Sequence, residues 1–437
     1  MQMGVNKRML NKFFGITDAG STVKTEIIAG ITTFLTLAYI IFVNPAILAD
    51  AGMDKGAVFV ATCLAAAIGT LVMGLVANYP MALAPGMGLN AYFTYGVVLG
   101  MGYTWQVGLG AVFISGVLFL TLSILPVREW IINAIPAGLK RAISAGIGLF
   151  LAIIALKNAG WVVDHPATLV TLGDVAAPSA LLAAAGFILL AVLDARKIPG
   201  AIIIAILAVT AAGVALGISP AGGFVSMPPS LAPTFMQMDI AGAFNVGIIA
   251  IVFAFLFVDL FDTAGTLVGL AHRGNLLDAD GKLPRLRNAL LADSTATVAG
   301  AALGTSTTTT YIESASGIKA GGRTGLTAVV VAICFLLALF ISPLAGTVPA
   351  YATAPALLFV ACVMARGMAE IDWDDVTEMV PAVMTAIAMP LTFSIATGIG
   401  IGFITYAGIK VLSGRGADVP LAVFVIAGAF ILKFALI

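Results

Sequence analysis

Charge is what this chain has least of: 10% of its 437 residues are Asp, Glu, Lys or Arg, where a soluble domain carries about a quarter. Residues 56–127 hold none at all, and neither do residues 324–365. A water-soluble fold has nowhere to put such runs, whereas a bilayer takes roughly 20 apolar residues for each helical crossing. Histidine (His165, His272) and cysteine (Cys63, Cys334, Cys362) are equally scarce. An odd number of thiols, each inside an apolar run, argues against a disulfide framework or a metal site and predicts buried free thiols. The two histidines fall in expected loops, so histidine chemistry is not expected. No nucleotide-binding loop of the Walker type occurs, so ATP is not expected to drive any process here. Net charge is zero, which gives no reason to expect nucleic acid. No cleavable signal peptide is expected, because residues 1–24 are polar and the apolar run after them is too long for a signal core.

What remains is apolar on every face, without the alternation of a transmembrane barrel. Helices are therefore expected, since they satisfy the backbone groups that lipid cannot. Spans read near 25–49, 57–77, 81–98, 105–126, 139–157, 177–195, 200–218, 242–270, 286–304, 306–322, 324–344 and 352–368. A run over 379–412, interrupted near Pro390, and a last one over 419–437 complete about fourteen. Residues 1–24 form a polar lead; 25–218 and 242–437 read as two repeats of seven spans, joined by 219–241. The polar stretches 158–176, 219–240 and 271–286 are loop-sized, so no extramembrane domain is expected.

Basic residues favour the cytoplasmic side. With the N-terminus inside, that side holds Lys7, Arg8, Lys12, Lys24, Arg128, Lys140, Arg141, Arg196, Lys197, Arg273, Lys282, Arg285, Arg287, Lys319, Arg323 and Arg366, against Lys55 and Lys157 outside. An N-terminus in the cytoplasm of a plasma-membrane protein is the orientation this implies.

Two spans are poor helices. The third carries Pro85, Gly86 and Gly88 close together; the tenth opens on Gly304-Thr-Ser-Thr-Thr-Thr-Thr-Tyr-Ile-Glu313, polar and β-branched. Each is the third span of its half. Interrupted segments in matching positions are the best sequence pointer to a transporter's substrate site. Ionisable groups inside apolar spans point the same way, and four qualify: Asp259, Asp262, Asp293 and Glu313. Asp259 and Asp262 stand three apart on roughly one helix face, too close for both to ionise in a dry site, so one could carry a proton. The bland alternative is that one of them caps a neighbouring helix end. Glu313 offers two acceptors to a planar ligand, or else pairs with Lys319 or Arg323. Asn90, at the other break, is donor and acceptor at once, or else stitches free backbone groups together. Asp293 is a second proton candidate or a hydrogen-bonded structural carboxyl. Gly86 and Gly88 suit close backbone approach. A channel would need polar positions along a whole lumen, and an enzyme a nucleophile–base pair or metal ligands; neither pattern is present.

At these residues the sequence resembles the AzgA-like purine permeases of the nucleobase–ascorbate, or xanthine/uracil, permease group. The matching segments are Ala29-Gly-Ile-Thr-Thr-Phe-Leu-Thr36, Phe42-Val-Asn-Pro45, Ala84-Pro-Gly-Met-Gly-Leu-Asn-Ala-Tyr-Phe93, Phe257-Val-Asp-Leu-Phe-Asp-Thr-Ala-Gly-Thr-Leu267, Leu291-Ala-Asp-Ser294 and Gly304–Ser314. The resemblance implies an all-α polytopic fold of seven plus seven inverted helices, with helices three and ten broken by short antiparallel strands. It implies a moving core, a gate that dimerises, and proton-coupled uptake of hypoxanthine, guanine or adenine with no cofactor. It places substrate contacts on Asn90, Asp262 and Glu313, with Gly86, Gly88 and Thr310 in the same site. The broader group often has a Glu and two His where this chain has Asp262-Thr-Ala-Gly-Thr266. Asp259, where adenine permeases look more like Asn, leans toward guanine and hypoxanthine.

Overall fold

The computed structural model describes residues 9–124, 136–244, 246–278 and 283–436. Lys7, Arg8, Arg128 and Lys282 of the orientation argument lie outside them. Among the described residues, nine helical segments are long and apolar enough to cross a bilayer, and three shorter apolar helices accompany them.

The first crossing is interrupted: α1 (Val23–Leu37), capped by the Thr22 hydroxyl, passes through Ala38–Tyr39 into α2 (Ile40–Asp50). Next, α3 (Lys55–Val72) starts on an Asp54 cap and ends in a π-helical turn at Met73–Ala77. The third crossing begins extended, as β1 (Leu83–Pro85), and turns helical through α4 (Met87–Ala91) and a π stretch to Gly100. After α5 (Trp105–Ile124) and α6 (Ala137–Asn158) comes a small exposed hairpin, β2 (Val162–His165) with β3 (Leu169–Leu172). The pair α7 (Pro178–Ala195) and α8 (Ala201–Ala215) follows, then a long irregular connection.

The second half repeats the plan with α9 (Val246–Gly274), α10 (Leu286–Leu303) and a broken crossing of β4 (Thr308–Thr310) and α11 (Ser314–Lys319). It continues with α12 (Gly325–Ala338), α13 (Ser342–Thr347) and α14 (Ala350–Ala365). The run expected over 379–412 is two helices, α15 (Val376–Leu391) and α16 (Ile395–Leu412), turning at Phe393, whose φ is 47°. They lie antiparallel, because Lys410 at the end of α16 meets Glu378 at the start of α15 at 2.8 Å. A last helix, α17 (Leu421–Leu436), follows this order. The fold is an inverted-repeat, all-α membrane architecture.

Two corrections concern scarce residues. Cys63 is buried, but Cys334 is half-buried and Cys362 exposed; an apolar run in a membrane protein can face lipid as readily as the interior. The histidines are exposed but not in loops: His165 ends β2 and His272 lies in the last turn of α9.

At the α15–α16 hairpin Lys410 is 2% exposed, and both carboxylates that neutralise it, Glu378 and Asp375, are on α15 or its cap. The Thr377 hydroxyl and the Arg415 guanidinium hold the Asp375 carboxyl well below the usual carboxylate range. Near the N-terminus of α12 a second polar knot forms. Buried Glu26 accepts hydrogen bonds from the Arg323 and Thr324 amides and the Thr327 hydroxyl, while Asn78, held at φ 51°, accepts from the Gly325 amide at 2.7 Å. The Gly325 amide is one of those a helix start leaves without an intrahelical acceptor.

Candidate functional site

The two broken crossings meet. β1 and β4 pair antiparallel in the register Leu83↔Thr310, Ala84↔Thr309 and Pro85↔Thr308, and all six residues are buried. The ladder extends at both ends: Gly86 donates to the Thr307 carbonyl, and Tyr311 to that of Ala82, each at 2.9 Å. A run rich in threonine, Gly and Pro that makes a poor helix thus finds its backbone partners across the molecule, as a membrane interior demands. Gly86 permits the approach, since a Cβ there would collide with the Thr309 side chain; one on Gly88 would collide with Ile147 of α6.

The ladder carries the predicted site residues in three groups. Asn90 is fully buried; its Oδ1 accepts from the Ser306 hydroxyl and its Nδ2 donates to the Pro85 carbonyl. It bolts one break to the other. Glu313, half-buried just after β4, accepts a 2.7 Å hydrogen bond from the hydroxyl of Tyr39, which sits in the break between α1 and α2. Asp262 is exposed although it lies within α9; its carboxyl lies near the Thr309 side chain, and its charge acts on the Glu313 carboxyl.

Asp259 and Asp293 are different: neither has any accessible surface. Thr297 donates to Asp259 at 3.2 Å; Thr263 and Thr310 donate to Asp293 at 2.9 and 3.3 Å. The expected Asp259–Asp262 pair does not form. Three residues leave about 60° between side chains on a helix, enough to bury Asp259 against Asp293 on α10 and leave Asp262 open.

Accessibility along α9 gives the site a direction. Asp262, Gly265, Thr266, Gly269, His272 and Arg273 are exposed or half-exposed, whereas Val258, Asp259 and Leu260 are buried. A Cβ built on Gly265 or Gly269 meets nothing. An open stripe therefore runs from Asp262 to the basic end of α9. At the opposite end Tyr95 donates to Asp50 at 2.6 Å, and Lys55 reaches the Val348 carbonyl at 3.5 Å.

The sequence reading missed Tyr39, Thr297 and Ser306, and noted Thr263 only as standing where the broader group has His. Tyr39 sits in a hydrophobic run and carries no signal there beyond its hydroxyl. Asn44, in the Phe42–Pro45 segment, donates to Thr62 and Thr305 and so ties α2 to α3 and to the approach to β4.

A buried polar ladder flanked by acidic groups, in an inverted-repeat bundle open along one helix face, defines a membrane carrier of the discontinuous-helix kind. Residues 24–401 match a family model described as "Permease family". The chain is 49% identical to the adenine permease AdeP of Escherichia coli, over 98% of this chain and 96% of that one. It is 46% identical to the guanine/hypoxanthine permease PbuG of Bacillus subtilis, over 97% and 99%. The transmembrane domain of the cyanobacterial bicarbonate transporter BicA superposes with a TM-score of 0.62 at 15% identity, covering 88% of this chain and 97% of that domain, a likeness of fold alone. The chain belongs to the nucleobase permease family, in its AzgA-like purine branch.

Proposed function

We propose that this permease imports purine bases across a plasma membrane by proton symport, hypoxanthine and guanine ahead of adenine. The observation that carries the reading is the placement of Asp262 and Glu313. Two accessible carboxyl groups flank β4 at membrane depth, where an ionised side chain costs about 3 kcal/mol on insertion scales and is kept for a purpose. Guanine and hypoxanthine present an N1–H, and guanine adds an amine; a carboxylate accepts from that edge as acidic side chains do from base donors elsewhere. Asp262 and Glu313 contact the base. Thr310, Gly86 and Gly88 shape the floor, and Asn90 holds that floor together. Residues 25–218 and 242–437 act as the two repeats, the carrier works as a homodimer in lipid, and its N-terminus and open stripe face the cytoplasm. Adenine is the second reading, favoured by the similarity to AdeP.

The test is uptake of radiolabelled hypoxanthine by cells lacking their own purine carriers, competed with unlabelled guanine, adenine and uracil. Saturable uptake displaced by purines but not by uracil, abolished by a protonophore and indifferent to sodium, is expected. Uptake unaffected by excess purine would overturn the substrate assignment, and uptake that survives the protonophore the coupling.

Tyr39→Phe removes one hydrogen bond to a carboxylate, worth about 1.5–3 kcal/mol. The half-saturating hypoxanthine concentration should rise about tenfold or more, with surface expression unchanged.

A further inference from the structure

Among the described residues, Oδ1 of Asp259 and Oδ2 of Asp293 are buried and receive no hydrogen bond from any donor group. The two carboxyl groups nevertheless lie within hydrogen-bonding reach of each other. Two ionised carboxylates do not rest side by side in a dry interior, and an acceptor facing an acceptor satisfies neither. One proton between them resolves both problems. Among the described residues no ion pair reaches either carboxyl: α5 and β4 carry no titratable side chain, α3 brings Lys55 and Cys63, α11 Lys319, and α16 Tyr406 and Lys410, the last paired with Glu378, while His272 and Arg273 end α9 and Arg287 opens α10.

Two hydroxyl groups lead from this pair toward exposed Asp262. Thr309 lies near Asp262, the Thr309 and Thr263 hydroxyls are 3.1 Å apart, and Thr263 donates to Asp293 at 2.9 Å. Each hydroxyl can donate one proton while accepting another, so a proton arriving at Asp262 can be passed on with no hydroxyl left charged.

We propose that Asp259 and Asp293 form a proton-sharing pair that is the coupling element of this carrier, loaded from Asp262 through Thr309 and Thr263. The proposal rests on the proton-symport reading above. With one shared proton the pair carries a single negative charge; a second proton neutralises it. Thr310, whose hydroxyl also binds Asp293, belongs to β4, so the state of the pair bears directly on the strand that flanks the base. Asp262 and Glu313 remain the groups that touch substrate, and the pair acts through β4.

The experiment uses the full chain in liposomes and two readouts: exchange of labelled for unlabelled hypoxanthine at equal pH, and accumulation driven by an inward proton gradient, followed with an internal pH dye. Asp293→Asn and Thr263→Val should keep exchange within about twofold while gradient-driven accumulation and purine-linked acidification fall about a hundredfold, the scale of a lost proton-transfer group. Thr263→Ser should restore both. Accumulation and acidification at wild-type levels in Asp293→Asn would overturn the proposal. So would loss of exchange in both variants, provided they elute as folded protein, because the pair would then belong to substrate binding. Wild-type protein that exchanges no hypoxanthine overturns the purine reading instead. Wild-type protein that exchanges it without acidification overturns the coupling.

Discussion

Glu313→Ala should lower hypoxanthine uptake by more than about a hundredfold, the consequence of losing a charged acceptor worth several kcal/mol in a partly desolvated site. Tyr39 would be left with a buried hydroxyl and no acceptor, which adds to the loss. Glu313→Gln is the more informative variant. An amide keeps the size and one acceptor but adds a donor, which suits the N1 acceptor of adenine and opposes the N1–H of hypoxanthine. Uptake of hypoxanthine should therefore fall further than uptake of adenine, and competition between the two bases should shift toward adenine. Equal losses for both bases would mean that Glu313 does not read that edge. Normal uptake by Glu313→Ala would remove it from the site.

The second large effect concerns stability. Gly325 opens α12 against the π turn that ends α3, and a Cβ there would collide with the backbone of Gly74. The Gly325 backbone is held there by the hydrogen bond of its amide to Asn78. Gly325→Val should cost about 3 kcal/mol, the upper range for overpacking a close crossing. It should appear as a lower apparent melting temperature of the detergent-solubilised protein and a reduced yield of monodisperse material. Gly408→Ala is the control: a Cβ on Gly408 meets nothing, so stability should stay within about 0.5 kcal/mol. Equal melting temperatures for Gly325→Val and wild type would mean that this crossing is looser than the structure has it.

The membrane fold was legible from charge depletion alone, and both interruptions could be placed, because Pro85, Gly86, Gly88 and the threonine run are poor helix formers wherever they occur. Their pairing was not derivable from spacing. It came only with the resemblance, since a backbone ladder depends on register rather than on side-chain pattern. Asp259 and Asp262 illustrate a different limit. Helical spacing predicted one face and one pair, but the burial boundary of α9 falls between them and the true neighbour of Asp259 comes from α10. Tyr39 was hidden because its neighbours are all apolar. The turn at Phe393 was visible as an interruption near Pro390, yet nothing there said that the chain reverses. The exposed β2–β3 hairpin reads as a plain polar loop, because its strands pack on no apolar face.

The hydrogen bond from Tyr311 to the Pro85 carbonyl closes a sequence distance of 226 residues. A chain threading into the bilayer from its N-terminus lays down β1 long before β4 exists, so during that interval the first break has no ladder partner from the tenth crossing. Contacts of this separation form slowly. The ladder that holds Glu313 and Thr309 in place is thus among the last contacts the chain can make.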